Sequence, residues 1–230
     1  MIQFNHVTKS YENGQVAVNN INLTLESGEM AYLKGHSGAG KTTLLKLIMM
    51  IETVSRGQII LNNENISRAR GERIAYIRRQ IGMIFQNPPL LFNRTVFENV
   101  ALPLIVAGYR PKEIKRRVNA ALDKVSLLHK QNSSPRTLST GEQQRVGIAR
   151  AVVTKPSILL ADEPTGNLDP ELSAEILKLF EAFNKVGVTV LIATHDFSLI
   201  QNTFHRVITL EGGQIIKDSH HEFKCANTVS

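Results

Sequence analysis

The sequence contains no tryptophan and only one cysteine, and each shortage weighs against a class of function or a cellular setting. Aromatic residues make up 6% of the 230 residues, so a platform on which single-stranded nucleic acid could stack is poorly supplied. Cys225 has no second cysteine with which to form an internal disulfide. A reducing cytoplasm is the compartment that fits this cysteine usage.

Long apolar segments are also missing. The longest apolar run, residues 100–107, is interrupted by Pro103 and is far shorter than the roughly 18 residues that a membrane-spanning helix requires. The first residues lack the charged and apolar regions of a signal peptide. We therefore expect any role at a membrane to depend on a separate, membrane-embedded partner.

Acidic residues are outnumbered, since 27 Lys and Arg face 20 Asp and Glu, giving a formal charge of +7. Such a balance favours an anionic partner: a nucleotide, a nucleic acid or an acidic membrane surface. Much of the excess lies in two clusters, Arg68, Arg70, Arg73, Arg78 and Arg79, and then Arg110, Lys112, Lys115, Arg116 and Arg117. Each cluster is either a solvated helix face or a surface that meets anionic lipid.

The apolar pattern predicts an α/β chain. Short β runs dominate the first 65 residues, and three later apolar runs alternate with helical patterns, which is typical of a parallel sheet covered on both faces. The predicted strands are Ile2–Phe4, Ile21–Leu25, Met30–Leu33, Gln58–Leu61, Ile81–Phe85, Ile158–Ala161, Val188–Ala193, Val207–Leu210 and Gln214–Lys217. A helical pattern runs from Thr95 to Leu128, and within it Pro111 suits a first helical position. Further helices are predicted after Gly40, over Ser139–Val153, and after Asp169, an N-cap followed by the first-turn Pro170.

A glycine-rich segment between a predicted strand and a predicted helix matches the P-loop pattern. It comprises Gly35, His36, Ser37, Gly38, Ala39, Gly40, Lys41 and Thr42. Glycine permits backbone conformations that turn successive N–H groups toward phosphate oxygens, and the following helix directs its positive end to the same anion. Lys41 supplies a charge near the terminal phosphates, and the Thr42 hydroxyl can ligate Mg²⁺.

A second polar element, Asp162-Glu163, ends an apolar strand. By itself the pair could equally be a solvated acidic turn. Together with the P-loop it indicates chemistry, because Asp162 can hold the metal through water while Glu163 reaches the attacking water as a general base.

The segment Leu138-Ser139-Thr140-Gly141-Glu142-Gln143-Gln144-Arg145 precedes the acidic pair and resembles the signature motif of ATP-binding-cassette (ABC) ATPases. In that family the signature binds a phosphate of the nucleotide held by the opposite subunit. The resemblance therefore implies a head-to-tail homodimer that shares ATP. The family motif usually reads Leu-Ser-Gly-Gly, whereas here the β-branched, stiffer Thr140 replaces the first Gly. Our hypothesis is that this change slows hydrolysis, if it has any effect, and does not abolish it.

The resemblance extends from about Met1 to Lys217 and implies ATP and Mg²⁺ as cofactors. The implied catalytic residues are Glu163, His195, Gln86 and Lys41, and the implied metal ligands are Thr42, Gln86 and Asp162. The implied nucleotide-binding residues are Tyr11, which stacks on adenine, with Gly35, His36, Ser37, Gly38, Ala39, Gly40, Lys41, Thr42, Thr43, Gln86, Ser139, Gly141, Glu142 and Asp169. Outside this family context, Tyr11, His195 and Gln86 would be read as a surface aromatic, a structural histidine and a loop residue.

Several longer stretches are similar to the FtsE family of bacterial cell-division ATPases, above all residues 141–148, Gly-Glu-Gln-Gln-Arg-Val-Gly-Ile. This similarity implies a membrane partner resembling FtsX, a location at the cytoplasmic face of the inner membrane and control of cell-wall hydrolysis. ATPases of lipoprotein release and macrolide efflux share the stretch from Leu160 to Asp169 and are the alternative. A nucleic-acid-associated ABC ATPase and a slow-turnover nucleotide-dependent scaffold are further alternatives.

The fold implied by the family is a P-loop NTPase core with a mostly parallel sheet, an antiparallel β portion and a helical subdomain near residues 90–155. We expect a single nucleotide-binding domain over residues 1–217. Residues 218–230 are expected to form a flexible C-terminal tail.

Overall fold

The computed structural model of the chain describes residues 1–196, 200 and 203–219. The predicted tail therefore lies outside the described residues from residue 220 onward, together with Cys225. Asp218, at the start of that predicted tail, instead belongs to a strand.

The described strands are β1 (Ile2–Ser10), β2 (Val16–Leu25), β3 (Met30–Lys34), β4 (Arg56–Leu61), β5 (Glu64–Asn65), β6 (Ile81–Phe85), β7 (Ile158–Asp162), β8 (Thr189–Thr194), β9 (Arg206–Glu211) and β10 (Gln214–Asp218). The described α-helices are α1 (Lys41–Ile48), α2 (Glu72–Arg78), α3 (Val96–Val106), α4 (Pro111–Lys124), α5 (Thr140–Val152) and α6 (Pro170–Lys185). Short 3₁₀ helices cover Ile66–Arg68, Leu128–Lys130 and Pro135–Thr137. No helix in this part of the chain combines the length and hydropathy needed to cross a bilayer.

The chain divides into two compact units, one formed by Met1–Ile74 with the chain from Thr189 onward and the other by Ala75–Val188. In the first unit an antiparallel sheet has the order β2-β1-β4-β5, and β3 pairs in parallel with both β8 and β9. Residues 30–33 of β3 are all buried, as expected of a central strand covered on both faces.

A partly buried ion-pair network connects β9 and β10 in this first unit. The Arg206 guanidinium on β9 bonds both carboxylate oxygens of Asp218 on β10, at 2.8 and 2.6 Å. It also donates to the backbone carbonyl of Thr24, at 2.7 Å, and to the carboxylate of Glu29, at 3.0 Å. Because a buried charge is tolerated when it is paired and hydrogen-bonded, this arrangement holds β10 against β9.

In the second unit β6 and β7 form a parallel pair, and α3, α4 and α5 pack on one another. Pro111 is the first residue of α4, as predicted, and its apolar stripe buries Val118, Ala121 and Leu122. Asp169 caps α6 with Pro170 as the first helical residue, also as predicted.

The α/β class, the antiparallel β portion and the predicted strands are confirmed, but some bounds differ for local reasons. β1 and β2 are longer than predicted. The prediction relied on an unbroken two-residue alternation, and His6 and Asn20, both at φ 51°, interrupt that alternation within the strands. The helix α2 was not predicted, because it buries only Ile77 and so shows no apolar stripe. The single-domain assignment and the subdomain bounds at 90–155 stay predictions.

Candidate functional site

The P-loop of the first unit has the backbone that its glycines predict. Gly38 and Gly40 have φ of 79° and 105°, in the region that favours glycine. A Cβ on Gly40 would lie 2.4 Å from the carbonyl oxygen of Ala17, so neither the angle nor the space admits a side chain. His36, Ser37 and Gly38 are exposed at the top of the loop, which leaves its outer surface open to an anion.

Lys41, the first residue of α1, folds back over this loop. Its ammonium donates to the carbonyl oxygens of Gly35, at 2.7 Å, and His36, at 3.1 Å, and the residue is only 5% exposed. The next residue, Thr42, is exposed. A positive charge, an exposed hydroxyl and a helix N-terminus therefore converge on one loop, which is the donor set that a polyphosphate requires.

Tyr11 and His195 belong to the same unit. The Tyr11 hydroxyl lies 3.3 Å from the Thr43 hydroxyl on α1, which connects the ring to the helix that follows the P-loop. His195 directly follows β8, and the parallel register pairs Lys34 of β3 with Thr194 of β8. Because Gly35 and His195 are each the next residue, the sheet places His195 beside the beginning of the P-loop.

In the second unit, the ends of β6 and β7 bring the predicted polar residues together. The register pairs Phe85 with Asp162, so Gln86 and Glu163 each come one residue beyond a strand end. Glu163 adopts φ 49°, which is uncommon for a residue other than glycine. Backbone strain of this kind costs of order 1–3 kcal/mol and clusters at functional sites, where the surrounding structure maintains it.

A chain of amides orients Gln86. Its Nε2 donates to Asn167 Oδ1 at 3.4 Å, and Asn167 in turn donates to Asn87 Oδ1 at 3.0 Å. A Cβ on Gly166 would lie 2.7 Å from Gln86 Nε2, so Gly166 allows the amide to approach the backbone closely. Two loops that the sequence separates by about 80 residues thus meet at Gln86.

The signature segment forms the N-terminus of α5 in the second unit. Ser139 is the N-cap, with its hydroxyl accepting from the Glu142 N–H at 3.3 Å, while the Ser139 N–H donates to the Glu142 carboxylate at 3.0 Å. The other carboxylate oxygen of Glu142 is ion-paired with Lys130. The hydrogen bond from Lys130, followed by that from Ser139, holds the pKa of Glu142 below its usual range.

Thr140 and Gly141 differ in their surroundings. Thr140 is exposed and is the first residue of α5, with none of the positive φ found at Gly38 or Gly40. Gly141 is buried, and a Cβ there would lie 2.0 Å from Leu172 Cδ2. Asp169 accepts a hydrogen bond from the Leu172 N–H at 2.9 Å as the cap of α6. The start of α5 therefore packs closely on the start of α6.

Each unit thus gathers its own predicted residues. The first unit contains Tyr11, the P-loop and His195, and the second contains Gln86, Asp162, Glu163, the signature residues and Asp169. Lys130 and Asn87 were not predicted, because each contacts the site through a partner distant in sequence and neither belongs to a motif. Among the described residues, no cluster of three His, Cys, Asp or Glu side chains could hold a metal ion.

Comparison with known proteins identifies the family. A family model described as ABC transporter matches residues 18–166. The chain belongs to the ABC transporter family. The predicted resemblance to ABC ATPases is confirmed, and with it the assignment of the chain as an ATPase.

Relatives within the ABC family match almost end to end. The cell division ATP-binding protein FtsE of Escherichia coli K12 is 56% identical over 222 residues, covering 96% of this chain and 100% of that protein. FtsE of Bacillus subtilis is 46% identical, covering 95% of this chain and 96% of that protein. The predicted similarity to the FtsE proteins is therefore confirmed.

Solved structures agree with this assignment. The dimeric bacterial ABC transporter cassette MJ0796 superposes with a TM-score of 0.87 at 36% identity, covering 95% of this chain and 97% of that one. A dimeric post-hydrolysis form of MJ0796 bound to ADP and Pi gives the same TM-score at 35% identity. The predicted ABC nucleotide-binding fold is confirmed.

Proposed function

We propose that this chain is the ATP-hydrolysing subunit of a cell-division complex of the FtsEX type. The observation that carries the proposal is the 56% identity to Escherichia coli FtsE over that protein's whole length. In this function the chain binds a membrane partner resembling FtsX at the cytoplasmic face of the inner membrane. ATP-driven dimerisation is passed to that partner and controls cell-wall hydrolysis during division.

The P-loop of the chain supports ATP as the ligand. In our proposal the backbone N–H groups of residues 35–43 and the Lys41 ammonium bind the phosphates, and Tyr11 stacks on adenine. The carbonyl contacts of Lys41 keep its ammonium over the loop while the residue is almost buried. This pre-organisation lowers the entropy that is lost when the phosphates bind.

The residues present also fit Mg²⁺. Magnesium is usually held by one or two carboxylates, water and the substrate phosphates, so a protein cage of several ligands is not needed. We assign the exposed Thr42 hydroxyl, the Asp162 carboxylate and the Gln86 amide as the protein's ligands. When bound, the metal would neutralise charge on the phosphates.

Glu163 is assigned as the general base of hydrolysis. Glu163 comes directly after β7 and has a left-handed backbone, so its side chain does not continue the alternating directions of the strand. Its carboxylate would accept a proton from the attacking water, while Gln86 orients that water and His195 donates a hydrogen bond to the γ-phosphate. The amide chain through Asn167 supports the assignment of Gln86, because the hydrogen bond to Asn167 restrains the Gln86 side chain.

The signature residues are assigned to the second subunit of a head-to-tail homodimer. Ser139 and Gly141 at the start of α5, with Glu142 and Asp169 close to them, would bind the γ-phosphate of ATP held by the partner subunit. The dimeric state of the MJ0796 cassettes supports this arrangement. Exposed basic residues on α4, among them Lys112, Lys115 and Arg116, would face an anionic membrane surface; no nucleic-acid partner is expected.

Recovery of the membrane partner tests the cellular role. The chain is affinity-purified from detergent-solubilised membranes of its own host, and the co-purifying membrane protein is identified by mass spectrometry. An FtsX-like protein is the expected result. A lipoprotein-release or macrolide-efflux permease would refute the cell-division role. Salt-sensitive binding to duplex nucleic acid with no membrane partner would refute the membrane role altogether.

Substitution of Glu163 tests the chemical role. Glu163→Gln should retain ATP binding, lose hydrolysis by about 10²-fold or more, and accumulate a dimer with Mg-ATP, because the base is removed while the ligand contacts remain. Light scattering with and without Mg-ATP measures the dimer. Lys41→Ala is the matched control and should bind ATP weakly and stay monomeric. Hydrolysis by Glu163→Gln at the wild-type rate would refute the assignment.

A further inference from the structure

Lys9 is an almost buried cation beside the tyrosine assigned to adenine. It is 8% exposed and lies near the end of β1, two residues before Tyr11. Its ammonium lies over the Tyr11 ring, 5.0 Å from the ring centroid, which is within the range of a cation–π interaction. The cation covers one face of the ring, so a base that stacks on Tyr11 must use the other face.

The position of Lys9 is set by a carboxylate on a different element. Its Nζ lies 2.8 Å from Glu52 Oε2, and the two side chains are 11% and 27% exposed. Glu52 lies in the turn that ends α1, where its N–H donates to the carbonyl of Lys46 at 3.3 Å. Since a lysine is rarely buried without a partner, the Glu52 carboxylate is what allows the ammonium to lie against the face of the ring.

Tyr11 is also connected to α1 directly. Its hydroxyl lies 3.3 Å from the Thr43 hydroxyl in the first turn of α1. Lys9, held by Glu52, thus contacts the face of the ring, and Thr43 contacts the hydroxyl at its edge. One connection leads to α1 itself and the other to the turn that follows it; the first residue of α1 is Lys41, which is assigned to the phosphates. The distance from base to phosphate in a nucleotide is limited by its sugar, so a ring held relative to α1 is held relative to the phosphates.

We propose that Lys9, fixed by Glu52, is a positioning residue that holds the Tyr11 ring in register with the P-loop and thereby favours a purine nucleoside triphosphate over a bare polyphosphate. The inference rests on the proposed function, in which Tyr11 stacks on adenine. Lys9 itself does not contact the reacting phosphate in this assignment; it acts through the ring.

The proposal predicts an effect that depends on the base. Lys9→Met keeps the aliphatic stem and removes the charge, and Glu52→Gln keeps the shape of the partner and removes its charge. Each should weaken ATP binding about fivefold, which corresponds to ~1 kcal/mol and to a cation–π contact of ordinary strength. Binding of inorganic tripolyphosphate, which has no base, should be unchanged. Lys9→Arg should recover most of the ATP affinity.

Calorimetric titration of the 230-residue chain with ATP and with tripolyphosphate measures both affinities, and steady-state kinetics should show KM raised with kcat within about twofold. Arg94→Met, which removes the exposed ion pair with Glu98 on α3, is the matched control and should change neither affinity. A single tryptophan gives an independent readout, because the chain has none. In Tyr11→Trp, ATP should quench the emission, and adding Lys9→Met should reduce that quenching.

The outcomes distinguish failure of the Lys9 role from failure of the proposed function. If Lys9→Met weakens ATP and tripolyphosphate equally, or if Lys9→Arg fails to recover ATP affinity, the ion pair only stabilises the fold and the inference is overturned. If Tyr11→Ala leaves ATP affinity unchanged while Lys41→Ala lowers it, the inference falls with the stacking role, but the nucleotide site survives. If Lys41→Ala also binds ATP normally, the proposed function itself fails.

Discussion

Two substitutions of Glu142 should lower the free energy of unfolding by different amounts. Its carboxylate completes the capping box of α5 by accepting the Ser139 N–H, and it also pairs with Lys130. Glu142→Gln can keep the capping hydrogen bond, since glutamine serves in capping boxes, but it loses the ion pair and the charge in the first turn. Glu142→Ala loses all three interactions.

The sizes follow from the exposure of each contact. The Lys130 and Glu142 side chains are 33% and 17% exposed, so their pair is screened and contributes about 0.5–1 kcal/mol. A carboxylate in the first turn adds about 0.3–1 kcal/mol, and the capping hydrogen bond about 1 kcal/mol. We therefore expect the free energy of unfolding to fall by about 1 kcal/mol in Glu142→Gln and about 2 kcal/mol in Glu142→Ala.

The stability that Glu142 contributes should decrease at low pH. The pKa of Glu142 is lowered in the folded chain, so its stabilising effect is fully present above the unfolded pKa, about 4.3 for a glutamate, and is lost as the pH falls through the folded value. The difference in stability between wild type and Glu142→Gln should accordingly narrow below about pH 4.

Urea unfolding followed by circular dichroism, at pH 7.5 and in steps down to about pH 3.5, measures these differences. Glu98 provides the control, since it forms the same capping box with Thr95 on α3 and its pKa is also lowered, first by the Thr95 N–H and then by Arg94. In Glu98→Gln, the loss of stability relative to wild type should likewise narrow as the pH falls, and ATP turnover should not change. Equal losses in Glu142→Gln and Glu142→Ala, or a loss that does not change with pH, would refute the reasoning.

Three further substitutions test the packing of α5 and the role of its first residue. Gly147→Ala should lower the free energy of unfolding by about 1–3 kcal/mol, because its Cβ would lie 2.7 Å from Cβ of the rigid Pro88 ring. Gly141→Ala should lower it less, because its Cβ meets a Leu172 side chain that can rotate. Thermal melts of the two variants measure the difference. Thr140→Gly should change ATP turnover by less than about twofold, under 0.5 kcal/mol, because Thr140 is exposed and helical; a larger gain would show that Thr140 slows hydrolysis.

The elements that could be predicted are those whose signal is local. The buried strand before the P-loop, the proline at the start of α4 and the Asp-Pro cap of α6 each depend on residues adjacent in sequence. The helix α2 and the full length of β1 escaped prediction for the converse reason. A helix that buries one side chain has no periodicity, and a bulge at His6 breaks the alternation that marks a strand.

For the candidate site, the residue order along the chain was enough to predict the P-loop, the acidic pair and the signature, because each needs particular residue types at consecutive positions. Folding was required to pair Lys9 with Glu52 against the face of Tyr11, to connect Gln86 with Asn167, and to pair Lys130 with Glu142. Except for Lys9 and Tyr11, which are near neighbours in sequence, the residues in these contacts are between 12 and 81 positions apart. No periodicity or motif encodes such a distance, because it is set by how strands and helices pack and by which charges are left buried enough to need a partner.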